Sequence, residues 1–263
     1  MDPSFDYILK LNSIRQEILK KYPERPAPSW VRITTITMCS KFLQEIDLKK
    51  FRENFAKLGS VTVRRQGSRF RGFEWKMKDT AFYNQVTIGY EDQYSRKSIK
   101  IFPNGSIQVA GCSDLFDCKR ILRQLSFVLH VVLELDSDAP IGEVSVKMIN
   151  TNFSLNSSVN LNKIIQKFSQ MRGFKVTFDP DRYSAVKVKF VPKPGQKQVT
   201  ASIFSTGKII VTGAQTLDEI AGAYAVINDA IDPSILVKPV AEPELFDTIM
   251  GASFEEWVRV LDK

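Results

Sequence analysis

Hydrophobic and polar residues alternate along several short segments of the chain, as they do in half-buried β-strands. From Val186 to Phe190 every second residue is apolar and lysines stand between them, and the same period of two returns between Val199 and Phe204. Two longer segments, near 114–130 and 216–231, favour helices. Runs of several antiparallel strands between helices predict an α+β fold.

The pattern occurs twice along the chain. The segment 101–111 (IFPNGSIQVAG) aligns with 203–213 (IFSTGKIIVTG), and six of the eleven positions are identical. Each copy is typical of a strand, a tight turn containing glycine, and a second strand. The two copies therefore predict the same hairpin in two places.

The segments before these hairpins repeat as well. The segment 46–51 matches 159–164, and both begin an amphipathic helix for which Asp47 and Asn160 are the expected N-caps. A strand is predicted before each helix, over 31–38 and over 144–150.

The repeated order of strand, helix, antiparallel strands and helix predicts two copies of one unit, over 30–142 and 143–231. An N-terminal arm over 1–29 precedes them, and an acidic tail over 232–263 follows. The first copy also carries a basic segment near 59–80, which is predicted to be an insert without a counterpart in the second copy.

Charge is unevenly distributed along the chain, which has 37 lysines and arginines, 29 acids and a formal net charge of +8. The stretch 57–78 contains seven bases and one acid, whereas the tail contains seven acids and three bases. A basic surface attracts polyanions such as nucleic acid. A solvated loop is the alternative explanation of the basic insert.

Motifs of the common enzyme classes are missing from the sequence: there is no P-loop, dinucleotide glycine pattern, nucleophile elbow or paired-histidine metal motif. We therefore expect neither catalysis nor a cofactor, and a structural role for His130. Three cysteines without metal-ligand spacing, Cys39, Cys112 and Cys118, favour small buried hydrophobes in a reducing, intracellular compartment. The most apolar stretch, 125–135, is too short to span a membrane.

Four aromatic residues are expected to form two pairs across hairpins. Because the numbers of paired residues in an antiparallel hairpin have a constant sum, Tyr83 opposite Phe102 puts one tip at 92–93, and Tyr183 opposite Phe204 puts the other at 193–194. Both positions are turn-like. The alternation places the aromatics on the polar, lysine-bearing face, where they either wedge into or stack on nucleic acid or pack against a loop or partner.

These segments resemble the TATA-binding protein family. The family repeats a unit of this order twice; its motif IF-SGK-V-TG is similar to 203–213, and its motif YNPKRFAAV is similar to 178–186 (FDPDRYSAV). The resemblance covers about 30–231. It implies two pseudo-symmetric repeats that form a saddle, in which a curved antiparallel sheet binds DNA and helices cover the convex face.

The resemblance also implies roles for individual residues. Wedging into the minor groove is this family's own mode of binding, and the implied wedges are Tyr83, Phe102, Tyr183 and Phe204. The implied contacts to the DNA backbone are Lys100, Arg182, Lys187, Lys189 and Lys208. The implied polar residues of the groove are Thr35, Asn150 and Thr212. The implied docking loop for a transcription factor IIB-like protein is Asp179, Pro180 and Asp181.

The function that the resemblance implies is transcription initiation. A member of the family binds and bends double-stranded promoter DNA and recruits a transcription factor IIB-like protein and RNA polymerase. The length and termini are similar to those of virus-encoded members, which implies a viral RNA polymerase as partner, a place at viral transcription sites in the host cytoplasm, and packaging in the virion. However, Thr35 and Met148 stand where the family has asparagine, and Ala110 where it has threonine. A second function therefore stays open, that of a protein-binding adaptor of this fold that has lost DNA binding.

Overall fold

The structure, a computed structural model, describes residues 3–58, 60–64, 72–78, 83–92, 96–112 and 114–239. Two compact units are present: unit 1 comprises the residues up to Thr34 and those from Ile149 onward, and unit 2 is Thr35–Met148. The predicted boundaries at 30, 143 and 231 differ from this division, because the N-terminal arm packs in the same unit as the second copy. The tail from 240 onward and the basic residues at 65–71 lie outside the described residues.

Unit 2 is built on a six-stranded antiparallel sheet. Along the chain it contains β1 (Arg32–Lys41, in this unit from Thr35), α2 (Leu48–Leu58), β2 (Ser60–Arg64), β3 (Gly72–Lys78), β4 (Val86–Asp92), β5 (Arg96–Ile101), β6 (Ser106–Cys112) and α3 (Leu115–Leu133). The strands lie in the order β2-β3-β4-β5-β6-β1.

Unit 1 is built on a five-stranded sheet of the same kind. It contains α1 (Pro3–Lys21), β7 (Ser145–Ser154, in this unit from Ile149), β8 (Ser157–Val159), α4 (Leu161–Ser169), β9 (Lys175–Asp179), β10 (Tyr183–Phe190), β11 (Val199–Phe204), β12 (Lys208–Ala214), α5 (Leu217–Ala230) and β13 (Leu236–Pro239). The main strands lie in the order β7-β12-β11-β10-β9, and β8 pairs separately with β13.

In each unit the apolar side chains of the sheet point to the face that carries helices. In unit 2, Phe51 of α2 and Leu125 of α3 belong to one cluster with Ile99 of the sheet. In unit 1, Ile164 of α4 and Ile227 of α5 are fully buried. We call the opposite face of each sheet the open face. The predicted α+β class, with antiparallel strands and helices on one side, is confirmed.

The predicted helix starts are confirmed in both copies. The Asp47 carboxylate accepts hydrogen bonds from the backbone N–H groups of Lys49 and Lys50, both at 2.9 Å. The Asn160 side chain accepts from Asn162 and Lys163 at 3.0 and 3.2 Å. These oxygens satisfy N–H groups that the first turn of a helix leaves without partners.

The prediction that the whole segment 59–80 is an insert is wrong. Strand β3 pairs with β4 as β9 pairs with β10, so that Lys78 stands opposite Thr87 in unit 2 and Thr177 stands opposite Lys187 in unit 1. Only β2, which pairs with the outer side of β3, has no counterpart. Because 57–78 is rich in charged residues, the sequence prediction missed β3, a strand that both copies possess.

Helix α1 packs against α5 and is joined to it by ion pairs. Lys10 pairs with Asp218 near the start of α5, and Lys21 pairs with Asp229 near its end. The Tyr22 hydroxyl donates to the backbone carbonyl of Asp229 at 2.9 Å. The arm is therefore part of unit 1.

Arg25 anchors the arm at the C-terminal end of α5. Its guanidinium donates to the carbonyls of Asn228 and Ile231 at 2.7 and 2.8 Å and to the Asn228 side chain. Burial lowers the pKa of Arg25 to about 10, so the group remains a cation at pH 7. A buried cation at this position satisfies carbonyls that the end of a helix leaves open.

Candidate nucleic-acid interface

Strand β10 separates apolar from basic side chains as the alternation predicts. Val186, Val188 and Phe190 are completely buried on the helix-covered side, whereas Lys187 and Lys189 are exposed on the open face. The predicted faces of β10 are therefore confirmed.

Backbone pairing carries the open face of unit 1 across four strands. Lys187 stands opposite Ser202, Ser202 opposite Ile210, and Ile210 opposite Asn152. The row contains small or medium-sized side chains between a lysine at one end and an amide at the other. Such a surface lets a large, flat ligand approach the sheet closely.

The rings of Tyr183 and Phe204 touch on this face. Their centroids are 5.6 Å apart and the ring planes meet at 67°, which is an edge-to-face contact. The Lys187 ammonium lies 4.6 Å from the centre of the Tyr183 ring. Tyr183 is 37% exposed, and Phe204 is half-buried. The cluster presents two rings and a cation next to one another.

The predicted pairing of these two aromatics is wrong by two residues. Ala185, not Tyr183, stands opposite Phe204, so the rings meet diagonally. The backbone N–H of Gln196 donates to the carbonyl of Lys193 at 3.0 Å, which centres the turn on Pro194 and Gly195. Gly195 has φ +83°, a conformation that glycine adopts readily. The turn is thus centred one residue later than predicted.

The corresponding pairing in the first copy is also shifted by two residues. Val86 stands opposite Ile101, which leaves Phe102 just past the end of β5, where it is half-buried. Tyr83 lies in the turn before β4 and is 92% exposed, and its carbonyl accepts from Arg52 at 2.9 Å. The predicted direct pair of Tyr83 with Phe102 is therefore corrected, because Tyr83 precedes the strand.

The remaining basic candidates occupy different places. Lys100 is half-buried on β5, opposite Thr87 and Gln108. Lys208 is exposed at the start of β12, and Arg182 is exposed in the turn between β9 and β10. Three of the five predicted backbone contacts, Lys187, Lys189 and Lys208, thus lie on the open face of unit 1.

The polar groove candidates and the docking loop are accessible in part or in full. Thr35, Asn150 and Thr212 are half-buried, and Thr212 stands opposite Thr200 on the open face. The loop of Asp179, Pro180 and Asp181 is fully exposed. A hydrogen bond from the N–H of Arg182 to the carbonyl of Asp179, at 3.1 Å, closes the turn.

Several residues of the open faces were missed by the sequence prediction. On β9, Lys175 stands opposite Lys189, and on β3, Lys76 and Lys78 stand opposite Gly89 and Thr87. Asn152 stands opposite Ile210 and adds an amide to the row of side chains that crosses the open face of unit 1. The alternation of 72–78, in which buried Trp75 stands between polar residues, was the signal that would have found the β3 lysines.

Other polar groups belong to the supporting structure. The His130 side chain is paired with Asp138 at 2.8 Å. Cys112 and Cys118 are buried as predicted, whereas Cys39 is half-exposed. Burial raises the pKa of the Cys39 thiol. Among the described residues, no group of three His, Cys, Asp or Glu is placed to hold a metal ion, and no helix is long and apolar enough to cross a membrane.

Comparison with known proteins finds a family model that matches the second copy. A family model described as transcription factor TFIID, or TATA-binding protein, TBP, matches residues 143–232. The matched segment contains the Tyr183–Phe204 pair and the exposed lysines of β10.

Relatives among curated proteins are viral. The chain is 27% identical over 239 residues to the TATA-box-binding protein-like protein of Acanthamoeba polyphaga mimivirus, a match that spans 76% of this chain and 65% of that protein. It is 31% identical over 159 residues to pB263R of African swine fever virus (isolate Pig/Kenya/KEN-50/1950), which is named for a TATA-binding protein; that match spans 56% of this chain and 59% of the relative. Less than two thirds of either relative is therefore covered.

A solved structure of TBP from Methanococcus jannaschii is also similar to the chain. It is 15% identical with a TM-score of 0.49, over 77% of this chain and 97% of that one.

Proposed function

We propose that the chain, whose second copy matches the model of the TATA-binding protein family, is a virus-encoded transcription initiation factor of that family. In this function it binds the minor groove of promoter DNA with its open faces, bends the duplex, and recruits a transcription factor IIB-like protein and the viral RNA polymerase. The observation that carries the proposal is the open face of unit 1, where the Tyr183–Phe204 pair adjoins the exposed lysines of β10.

The chemistry of this face suits bent DNA. Lysines neutralise phosphates and bring the duplex onto the sheet without reading its sequence. The two rings can enter an opened base step, at an unstacking cost of a few kcal/mol that the additional contacts of bent DNA offset. Thr200, Thr212 and Asn152 offer hydrogen-bonding groups on the open face to minor-groove acceptors.

A titration with duplex DNA tests the proposal. TATA-containing and GC-rich duplexes are compared at two salt concentrations, and an end-labelled duplex reports the bend. We expect binding that weakens with salt, with a log–log slope of about 0.9 for each phosphate neutralised. Sequence preference should be modest, because Thr35 and Met148 replace the asparagines of the family.

Charge reversal distinguishes DNA binding by the open face from nonspecific attraction of DNA to basic residues elsewhere. Lys187→Glu with Lys189→Glu should abolish binding, whereas the matched control, Lys20→Glu with Lys119→Glu, changes the net charge equally at exposed helical positions and should weaken binding much less. Equal losses in both variants would contradict an interface on the open face.

The adaptor function is the second candidate, and the absence of both family asparagines favours it. If the protein bound no duplex at about 50 mM salt, where phosphate contacts are strong, the adaptor would be the better explanation. In that case partners would bind the same loops without DNA.

Partner docking, cellular location and the lack of catalysis are parts of the same proposal. The loop of Asp179, Pro180 and Asp181 is exposed and acidic, which suits a basic partner surface. We place the protein at viral transcription sites in the host cytoplasm and in the virion, as expected for a factor that serves a viral polymerase. We assign no reaction to it.

A further inference from the structure

A cavity of about 390 Å³ lies beside Phe204 on the open face of unit 1. It is bounded by the arm on one side and by β7 and β12 on the other. Its lining includes Trp30, Arg32, Asn152, Phe204, Lys208 and Ile210. Arg32 and Lys208 are exposed at its rim, whereas Trp30 is almost completely buried in its wall.

The lining combines two kinds of chemistry. Phe204 and Ile210 offer apolar surface to a sugar ring, while Arg32 and Lys208 offer cations to a phosphate. We propose that the cavity binds a single nucleotide of the duplex strand, next to the base step that Phe204 opens, with its phosphate at Arg32 and its deoxyribose against Phe204. This inference rests on the proposed function and adds a DNA contact contributed by the first residue of β1, Arg32.

The arm holds this wall rigidly in place. The N–H of Ser29 donates to the carbonyl of Ser154 at 2.8 Å, and the Tyr224 hydroxyl donates to the carbonyl of Ser29 at 2.7 Å. The Arg15 guanidinium lies 4.6 Å from the centre of the Trp30 ring and donates to the carbonyl of Pro28 at 2.9 Å. The cavity is therefore formed before any ligand arrives, which lowers the entropic cost of binding.

The equivalent position in unit 2 has different chemistry. There the N–H of Gly142 donates to the carbonyl of Lys41 at 2.7 Å, which reproduces the bond of Ser29 to Ser154. Glu143 and Ser145 then stand where unit 1 has Trp30 and Arg32. The Trp30 ring and the Arg32 cation thus have no counterpart at these positions of unit 2, and we expect the two copies to contact DNA unequally.

A phosphate scan tests the cavity directly. A set of duplexes, each with one neutral methylphosphonate, is titrated against the wild type, Arg32→Ser and the matched control Lys20→Ser. In the wild type and the control, neutralising one phosphate beside the bent step should weaken binding about tenfold, as loss of a charge-assisted contact does. In Arg32→Ser the binding should already be weaker by that factor and should no longer respond at that phosphate.

A cavity-filling variant, Thr206→Trp, tests the shape independently of charge. Thr206 lies exposed in the turn that borders the cavity, so Thr206→Trp should melt like the wild type. Thr206→Trp should also remove the response at the same phosphate. Ser145→Arg should create a second sensitive phosphate.

The outcomes separate this inference from the proposed function. If all proteins bind and bend duplex DNA but Arg32→Ser keeps the wild-type phosphate profile, the cavity does not hold a nucleotide and the open-face function stands. If the wild type binds no duplex, both the proposed function and the nucleotide site are wrong.

Discussion

Removing the Tyr183–Phe204 pair should straighten bound DNA while leaving the protein folded. Replacing a fully buried phenylalanine by alanine lowers the free energy of unfolding by about 3–5 kcal/mol. Phe204 is half-buried, so Phe204→Ala should cost about 2 kcal/mol, in proportion to the surface it covers. Tyr183 is 37% exposed, and Tyr183→Ala should cost about 1–2 kcal/mol, including loss of its contact with Lys187.

The two changes should not be additive. The rings share an edge-to-face contact with centroids 5.6 Å apart, and such contacts couple by about 0.5–1.5 kcal/mol in double-mutant cycles. Denaturant unfolding of the wild type, both single variants and the double variant measures this coupling. The same four proteins are then mixed with an end-labelled duplex, whose end-to-end distance reports the bend.

The bend should respond more than the affinity. Exposed lysines on β10 should keep the protein on the duplex when the rings are removed, so the DNA should become straighter while binding persists. Tyr83→Ala is an internal control for stability, because a side chain that is 92% exposed contributes little to the fold; its effect on the bend shows whether Tyr83 acts as a wedge. A loss above about 4 kcal/mol for Phe204→Ala would indicate a core residue, and an unchanged bend in the double variant would refute the wedge.

Three further changes test other parts of the molecule. Asp179→Lys with Asp181→Lys should weaken assembly with a purified transcription factor IIB-like protein and DNA without weakening binding to DNA alone; a ternary complex of wild-type strength in a gel-shift titration would exclude this loop. Burial opposes ionisation of Glu219, but N–H groups of Gln215, Lys197 and Thr216 outweigh it and hold the pKa below its ordinary value. Its stabilising effect should therefore be present at pH 7 and disappear as the pH falls through that lowered pKa. The roughly 1 kcal/mol cost of Glu219→Gln at pH 7 should shrink in parallel when unfolding by denaturant is measured at decreasing pH; a cost independent of pH would show that the charge is unimportant. Arg25→Ala should cost about 3 kcal/mol because it leaves buried carbonyls without donors, and hydrogen exchange in α1 should accelerate; unchanged exchange would mean that the arm is held by other contacts.

Features that depend on neighbouring residues could be predicted from the sequence. Asp47 and Asn160 begin their helices because a cap needs only the next three N–H groups. The faces of β10 followed from the period of a strand, since Val186 and Lys187 must point in opposite directions. The fold class followed from the repetition of these local patterns.

The register was harder to predict because it depends on the exact turn. A turn centre displaced by one residue changes the partner of each strand residue by two. The turn at Pro194 and Gly195 therefore put Ala185, not Tyr183, opposite Phe204. The side of the sheet was still right, because a shift by two keeps each side chain on the same face.

Contacts between distant parts of the chain left no local signal. Arg25 and Asn228 are 203 positions apart, and nothing near either residue indicates the other. Strand β3 was not predicted because Lys76 and Lys78 suggested a solvated insert, although Trp75 in the same strand is buried. The cavity wall at Trp30 depends on such distant contacts too, those of Ser29 with Ser154 and Tyr224.

The packing of α1 on α5 has a consequence for biosynthesis. The arm leaves the ribosome long before the helix that receives it, Leu217–Ala230. Unit 2 is continuous in sequence and can complete its core while translation continues. The nascent arm carries Leu11 and Ile18, which are buried in the folded protein. Until α5 has been made, these apolar side chains remain exposed. Non-local closure of this kind slows folding, and it makes the arm the segment on which a chaperone would act during synthesis.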